Sequence, residues 1–259
     1  MVINNKPILL LFYTNILLYV FCSCSAHVVF PPIFDNSRIM NEQYGICSHI
    51  SRLGERHEYA TRDQDLTMID KIGASFVRTE FDWIPIQTKT QGALDYRYLD
   101  SMIISVENHD KSVLGILTID KRKEITNDWL DYVSQTCKRY KNVVYWEILN
   151  EADRIYKYVP GFYSNQYIPF IKEGYKAIKT NNRNAKVTFT GISDIYTEKI
   201  DSILSHDIGS YFDIMNVHTY TLPNSGPEVF ITYFRKLKSI MDHYKINKPV
   251  WLSETGGHT

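Results

Sequence analysis

Apolar and polar positions along this chain fall into alternating blocks, in which short β-branched and aromatic runs give way to longer stretches with a helical repeat. Seven runs have strand character: Tyr44–Ile50, Phe76–Trp83, Val113–Ile119, Val143–Leu149, Lys186–Ile192, Phe212–His218 and Pro249–Ser253. Between them apolar positions recur at helical spacing, as at Leu66, Ile69 and Ile72 of the stretch Thr61–Ile72. Tyr96–Asn108, Asn127–Tyr140, Gln166–Thr180, Glu198–Ser205 and Pro227–Tyr244 read as further helices. A strand-to-strand spacing of roughly 25–40 residues suits βα units, so the alternation predicts an α/β protein with a parallel sheet wound by helices. The chain has 259 residues, the size of one TIM-type (β/α)8 barrel. Such a barrel has eight strands, yet the last of the seven runs ends just before Thr259. The expected fold is a (β/α)8-type barrel incomplete at its C-terminus, with its first and seventh strands left as open edges.

The first 24 residues predict an export signal. Lys6 supplies the positive start, Ile8–Cys22 is almost continuously apolar, and small residues follow from Ser23 to Ala26. Asn15 interrupts the run, which is short for a membrane span of about 20 residues. Phe21-Cys22-Ser23-Cys24 also resembles a bacterial lipoprotein box, with Cys24 as the lipidated residue. Plain secretion and a lipid anchor in a membrane both fit, so the expected location is periplasmic, extracellular or an outer-membrane lipoprotein. Residues 25–42, with Pro31-Pro32, read as a linker or lead-in, leaving 43–259 as the barrel domain.

Composition narrows the chemistry. Lys+Arg and Asp+Glu number 29 each, a balance that offers no basic face for nucleic acid. Aromatic residues are plentiful, with 19 Tyr, 12 Phe and 4 Trp, and exposed rings match the flat C–H faces of sugars. Most such rings serve as core. Only Cys47 and Cys137 lie outside the signal, one on a strand and one on a helix, and they read as buried free thiols. No Cys/His spacing resembles a zinc site, and no H-x-H pattern on the first strand suggests a metal-dependent hydrolase.

Two acidic motifs stand at strand ends. Trp146-Glu147-Ile148-Leu149-Asn150-Glu151 closes the fourth strand, and Trp251-Leu252-Ser253-Glu254-Thr255-Gly256 closes the seventh. Strict alternation would set Trp146, Ile148 and Asn150 on one face and Glu147 and Leu149 on the other. Glu151 and Glu254 would then emerge on the C-terminal rim, where barrels of this kind collect their reactive groups.

The pair W-E-I-L-N-E and W-L-S-E-T-G resembles glycoside hydrolase clan A, most closely its family 39 and family 5 barrels, over about Tyr44 to Gly257. That resemblance implies a retaining glycosidase without cofactor or metal, acting on an oligo- or polysaccharide. It assigns Glu151 as acid/base and Glu254 as nucleophile. It further implies that Asn150 bonds the sugar 2-hydroxyl, that Tyr220 holds the nucleophile, and that Arg78 pairs with it. His218, His49 and Trp83 join them as candidate sugar-lining residues. Ala152 stands where the clan has proline, and the clan's eighth-strand aromatic has no counterpart.

Each assignment has a plainer alternative. Arg78 would equally suit a structural ion pair with Glu80 or Asp82, His218 a satisfied rim histidine, Trp83 core packing and His49 a loop. Lys121-Arg122-Lys123 reads most simply as a solvated loop. A missing eighth strand would also suit a carbohydrate-binding remnant without turnover. Oligomeric state is left open.

Overall fold

The computed structural model describes residues 19–23, 44–51, 59–86, 93–119, 126–155, 167–193, 197–220 and 226–256. Eight strands form one sheet: β1 (Tyr19–Ser23), β2 (Tyr44–Cys47), β3 (Phe76–Phe81), β4 (Ser112–Leu117), β5 (Tyr145–Ile148), β6 (Lys186–Thr188), β7 (Met215–Tyr220) and β8 (Val250–Gly256). The helices are α1 (Tyr59–Lys71), α2 (Trp83–Ile86), α3 (Arg97–Asn108), α4 (Asn127–Arg139), α5 (Ala152–Ile155), α6 (Ile168–Asn181), α7 (Thr197–Leu204) and α8 (Pro227–His243). All seven strands and six long helices expected from the residue pattern are present. The two four-residue helices α2 and α5 are additions. A single turn fixes many dihedrals for few hydrogen bonds, so it carries no periodic signal.

Local chemistry explains the helix starts. Thr126 caps α4, its Oγ1 accepting from Trp129 N at 3.2 Å. Pro227 opens α8 at a position whose N–H would have no intrahelical partner anyway. Among the described residues no helix is long and apolar enough to cross a membrane.

Strand order in the sheet is β6-β5-β4-β3-β2-β1-β8-β7, with every pairing parallel. A parallel bridge, Thr188↔Ile214, joins the segments at its two ends. The sheet corrects the expectation of open edges on the first and seventh strands. β1 lies between them, pairing with β2 from Val20↔Tyr44 to Ser23↔Cys47 and with β8 at Tyr19↔Trp251, Val20↔Leu252 and Cys22↔Thr255. A continuous apolar run without alternation fits an export signal and a fully buried parallel strand equally well. The rest of the segment expected to be an export signal, including Cys24, and residues 25–42, expected to be a linker, lie outside the described residues, as does Lys121-Arg122-Lys123.

Helices cover the outer face of the sheet. Their buried stripes, such as Leu99, Met102 and Val106 of α3 and Trp129, Val133 and Cys137 of α4, merge with Val77, Phe81 and Ile148 into the main core. On the inner face, Phe76, Leu114, Ile214 and Trp251 form a second apolar cluster with Tyr145 and Cys47 at its margin. Tyr145 and Trp251 sit with ring centroids 4.8 Å apart although β5 and β8 are not neighbours. The sheet is therefore curled, and this cluster forms a floor under the polar groups above it.

Candidate active site

β5 ends at Ile148, and the chain then leaves extended geometry: Leu149 has φ 61° and Glu151 φ 44°. Left-handed backbone costs a residue with a Cβ about 1–3 kcal/mol, so its surroundings must hold it. Leu149 N donates to Leu117 O at 3.1 Å, Thr190 Oγ1 donates to Leu149 O at 2.9 Å, and Arg154 N donates to Glu151 O at 2.9 Å. The turn also redirects side chains. Ile148 faces α6, where a Cβ on Gly174 would meet its Cδ1 at 3.0 Å. Asn150, expected on that same face, instead reaches the inner cluster and accepts from Arg78 Nη2 at 2.7 Å. The left-handed Leu149 breaks the two-residue period, and this corrects the facing read from alternation.

β8 uses a different device. Its register against β7 shifts between Val217↔Leu252 and His218↔Glu254, as a bulge does. Consecutive residues Ser253 and Glu254 thereby both reach His218. Ser253 Oγ lies 3.1 Å from His218 Nε2, and Glu254 Oε2 lies 2.9 Å from Nδ1. Glu151 Oε1 lies 3.1 Å from that same Nδ1. Gly191 makes room for the ring, because a Cβ there would stand 1.9 Å from His218 Nε2. Burial pushes the imidazole pKa down, but the hydrogen bonds to Glu151 and Glu254 outweigh it and hold it above its ordinary value. His218 Nδ1 thus stands between two carboxyl groups.

Arg78 of β3, only 3 % exposed, ties the cluster together. Its Nε donates to Glu147 Oε2 at 2.8 Å, Nη1 to Glu254 Oε1 at 3.4 Å and to Cys47 Sγ at 3.3 Å, and Nη2 to Asn150. Glu147 is fully buried and also accepts from Gly191 N at 3.0 Å. Burial alone would raise the pKa of Glu254. The hydrogen bond and charge of His218, the charge of Arg78 and the hydroxyl of Tyr220 together lower it to about 2. Burial pushes the Cys47 thiol the other way, up to about 12, so it stays neutral, donating to Ser253 O at 3.3 Å.

Glu151, Glu254, Asn150, Arg78, His218 and Tyr220 thus converge, as expected from their strand ends. Trp83 is a correction. It is 2 % exposed and stacks on Tyr132 with centroids 6.0 Å apart, facing the helix layer because α2 turns the chain outward there. His49 stands on the rim, its Nδ1 2.8 Å from Glu80. The partner of Arg78 is Glu147 rather than Glu80 or Asp82. Glu147, Ser253, Gly191 and Cys47 were missed as site residues; the inward phase of Glu147 opposite Trp146 was the one signal available. Donor atoms of Glu151, His218 and Glu254 lie within 4.8 Å of one another, a spacing that would also admit a divalent cation in place of the Nδ1 proton.

These charges set a stability profile. His218 has a folded value above its ordinary 6.5, so its contribution is full below that pH and is lost as pH rises through the folded value. Glu254 falls from an ordinary 4.5 to about 2, so its contribution is full above 4.5 and is lost as the pH drops towards 2. Urea denaturation across pH is expected to place greatest stability between those ordinary values. A stability that keeps climbing from pH 7 to 9 would contradict the raised His218 value.

The described residues form one parallel sheet on which two carboxyl groups meet around His218. Solved structures sharing the fold include glycoside hydrolases. A family 39 glycoside hydrolase from Bacteroides cellulosilyticus WH2 aligns over 82 % of this chain and 48 % of its own, with a TM-score of 0.61 and 17 % identity. A monomeric beta-xylosidase from Caulobacter crescentus CB15 aligns over 82 % and 52 %, with a TM-score of 0.64 and 15 % identity. A Bacteroides uniformis beta-glucuronidase aligns over 82 % and 24 %, with a TM-score of 0.55 and 14 % identity. The chain spans about half the length of the first two. No family model and no curated protein matches the sequence.

Proposed function

We propose that the chain is a retaining glycoside hydrolase on a (β/α)8-type barrel, cleaving O-glycosidic bonds with Glu151 as acid/base and Glu254 as nucleophile. One observation carries this reading: donor oxygens of the two carboxylates lie within 4.8 Å of each other around a shared imidazole. Retaining enzymes hold their carboxyls about 5–5.5 Å apart and inverting enzymes about 6.5–9.5 Å apart. Closure of the sheet into a barrel is supported by the Thr188↔Ile214 bridge and by side chains of β3, β5 and β7 touching across its inner face.

Glu254 is held ionised by His218, Arg78 and Tyr220, in the state needed to attack an anomeric carbon. As the C1–O bond breaks, Glu151 gives its proton to the leaving oxygen. The glycosyl ester on Glu254 is then cleaved by a water that loses its proton to Glu151, which restores both groups. His218 Nδ1, 2.9 Å from Glu254 Oε2, is placed to donate to the negative charge that returns to Glu254 when the ester opens. Asn150, fixed by Arg78, offers its amide to a sugar hydroxyl. This chemistry asks for no cofactor.

The matched structures include a xylosidase and a glucuronidase, and one fold serving both leaves the sugar to the loops of the rim. Export suits a polysaccharide substrate and is part of the proposal only with the leader retained, because processing before Cys24, as a free protein or as a lipoprotein, would remove β1 from the sheet. The alternative of a binding-only remnant was motivated by a missing eighth strand, and in the unprocessed chain β1 supplies that strand.

The test is a panel of 4-methylumbelliferyl β-D-xyloside, glucoside, galactoside and glucuronide, followed by NMR of the first-formed sugar anomer. Glu151→Ala is expected to lose about 10²–10⁴-fold on the substrate accepted. Azide should then restore turnover and yield a glycosyl azide of retained configuration. An inverted product rules out the double displacement, and no turnover across the panel favours the remnant.

A further inference from the structure

The segment that follows Glu151 is built to be held from outside. α5 has only four residues, too few to be stable by itself, and it follows two left-handed residues. Its Asp153 is buried, and the carboxylate spends its acceptors on another part of the chain. Oδ1 accepts from Ser193 N at 3.0 Å, and Oδ2 accepts from Ser193 Oγ at 2.6 Å and from Lys199 Nζ of α7 at 2.7 Å. Burial would raise the Asp153 pKa, but the bonds from Lys199 and Ser193 lower it, so the carboxylate is charged.

Ser193 belongs to a run that grips the acid/base turn three times. Gly191 N holds the Glu147 carboxylate, Thr190 Oγ1 holds Leu149 O, and Ser193 holds Asp153. Residues 190–193 therefore lie as a splint along residues 147–153, and Asp153 is the bolt at the end nearest Glu151. Glu254 is held by Arg78, Tyr220 and the β8 bulge, and shares His218 with Glu151.

We propose that Asp153 is a positioning residue for Glu151, fixing the acid/base carboxyl on the leaving-group side by tying α5 to Ser193 and Lys199. The inference rests on the retaining glycosidase reading. Proton delivery to the departing oxygen needs Glu151 within hydrogen-bond reach of it, while attack by Glu254 does not depend on this tie. Loosening the bolt should therefore damage the acid-assisted step and spare attack on substrates whose leaving group needs no proton.

The experiment compares kcat/KM, which reports bond cleavage, for the methyl and 2,4-dinitrophenyl glycosides of the sugar accepted from the panel. Asp153→Asn is expected to lose about 10–100-fold on the methyl glycoside, the scale of a small misplacement at a reacting centre, and less than about threefold on the dinitrophenyl glycoside. Lys199→Met removes the partner from a partly exposed position and should reproduce the same selectivity even where Asp153→Asn folds poorly. Combining Asp153→Asn with Glu151→Ala should add no further loss on the methyl glycoside, since the positioned group is already gone. Equal losses on both substrates, or an additive double variant, would overturn the positioning role and leave the glycosidase reading standing. Wild-type protein inactive on the whole panel would instead remove that reading, and this proposal with it.

Discussion

Replacing Glu254 with glutamine is expected to cut kcat on the accepted aryl glycoside on the order of 10⁶-fold, the scale seen when a hydrolase loses its covalent nucleophile. Glutamine keeps the shape and one acceptor oxygen, so the contacts with Tyr220 and Arg78 are largely conserved. What disappears is the carboxylate held at about 2 by its neighbours, and with it the ability to form an ester at the anomeric carbon. KM should move little, because the lost interaction belongs to the transition state. A 2-deoxy-2-fluoro glycoside should label the peptide containing Glu254 in the unaltered protein and leave the variant unlabelled, as read by mass spectrometry. A variant that keeps more than about a hundredth of the activity would show that Glu254 is not the nucleophile.

The carboxylate pair was legible because each glutamate sits where a strand stops, and a strand end is visible in a linear pattern. Periodicity located β5 and β8 to within a few residues, and the parallel alternation put their ends on one rim. Contacts made across the inside of the sheet were not visible. Arg78 takes its strongest partner from Glu147, 69 residues away, beside the expected contact with Glu254, while its neighbours in sequence, Glu80 and Asp82, are the plainer alternative. Nothing in a single strand's pattern says which other strands it will face once the sheet curls. The left-handed Leu149 and Glu151 were hidden for a related reason: neither is glycine or asparagine, so no residue type announced the turn that swings Asn150 inward. Trp83 failed differently. An aromatic residue after a strand end fits a sugar platform or a core wedge, and the one turn of α2, too short to predict, decides for the core. β1 was concealed because a continuous apolar run suits a signal segment and a parallel strand alike.

Arg78→Met is expected to cause the largest loss of stability. Arg78 is the nearest cation for a carboxylate with no access to water: Glu147 is fully buried, its other hydrogen bond comes from Gly191 N, and His218 Nε2 stands 4.0 Å away. Removing one member of a buried pair leaves an uncompensated charge and costs about 3–5 kcal/mol, which for a domain of this size lowers Tm by roughly 10 °C. Activity should fall as well, by about 10²-fold or more, because Asn150 loses its anchor and Glu254 a charge that helps keep it ionised. Loss of fold and loss of chemistry are separated by the double variant Arg78→Met with Glu147→Leu. It removes both charges and leaves a packed apolar pair, so calorimetry should recover most of the lost stability. Turnover should stay low, since neither methionine nor leucine can orient Asn150 or steady the carboxylate of Glu254. Recovery of both together would reduce Arg78 to a structural group. Recovery of stability alone means that the ion pair at the centre of the sheet is maintained for the reaction above it, at a cost to the fold that an apolar core would not carry.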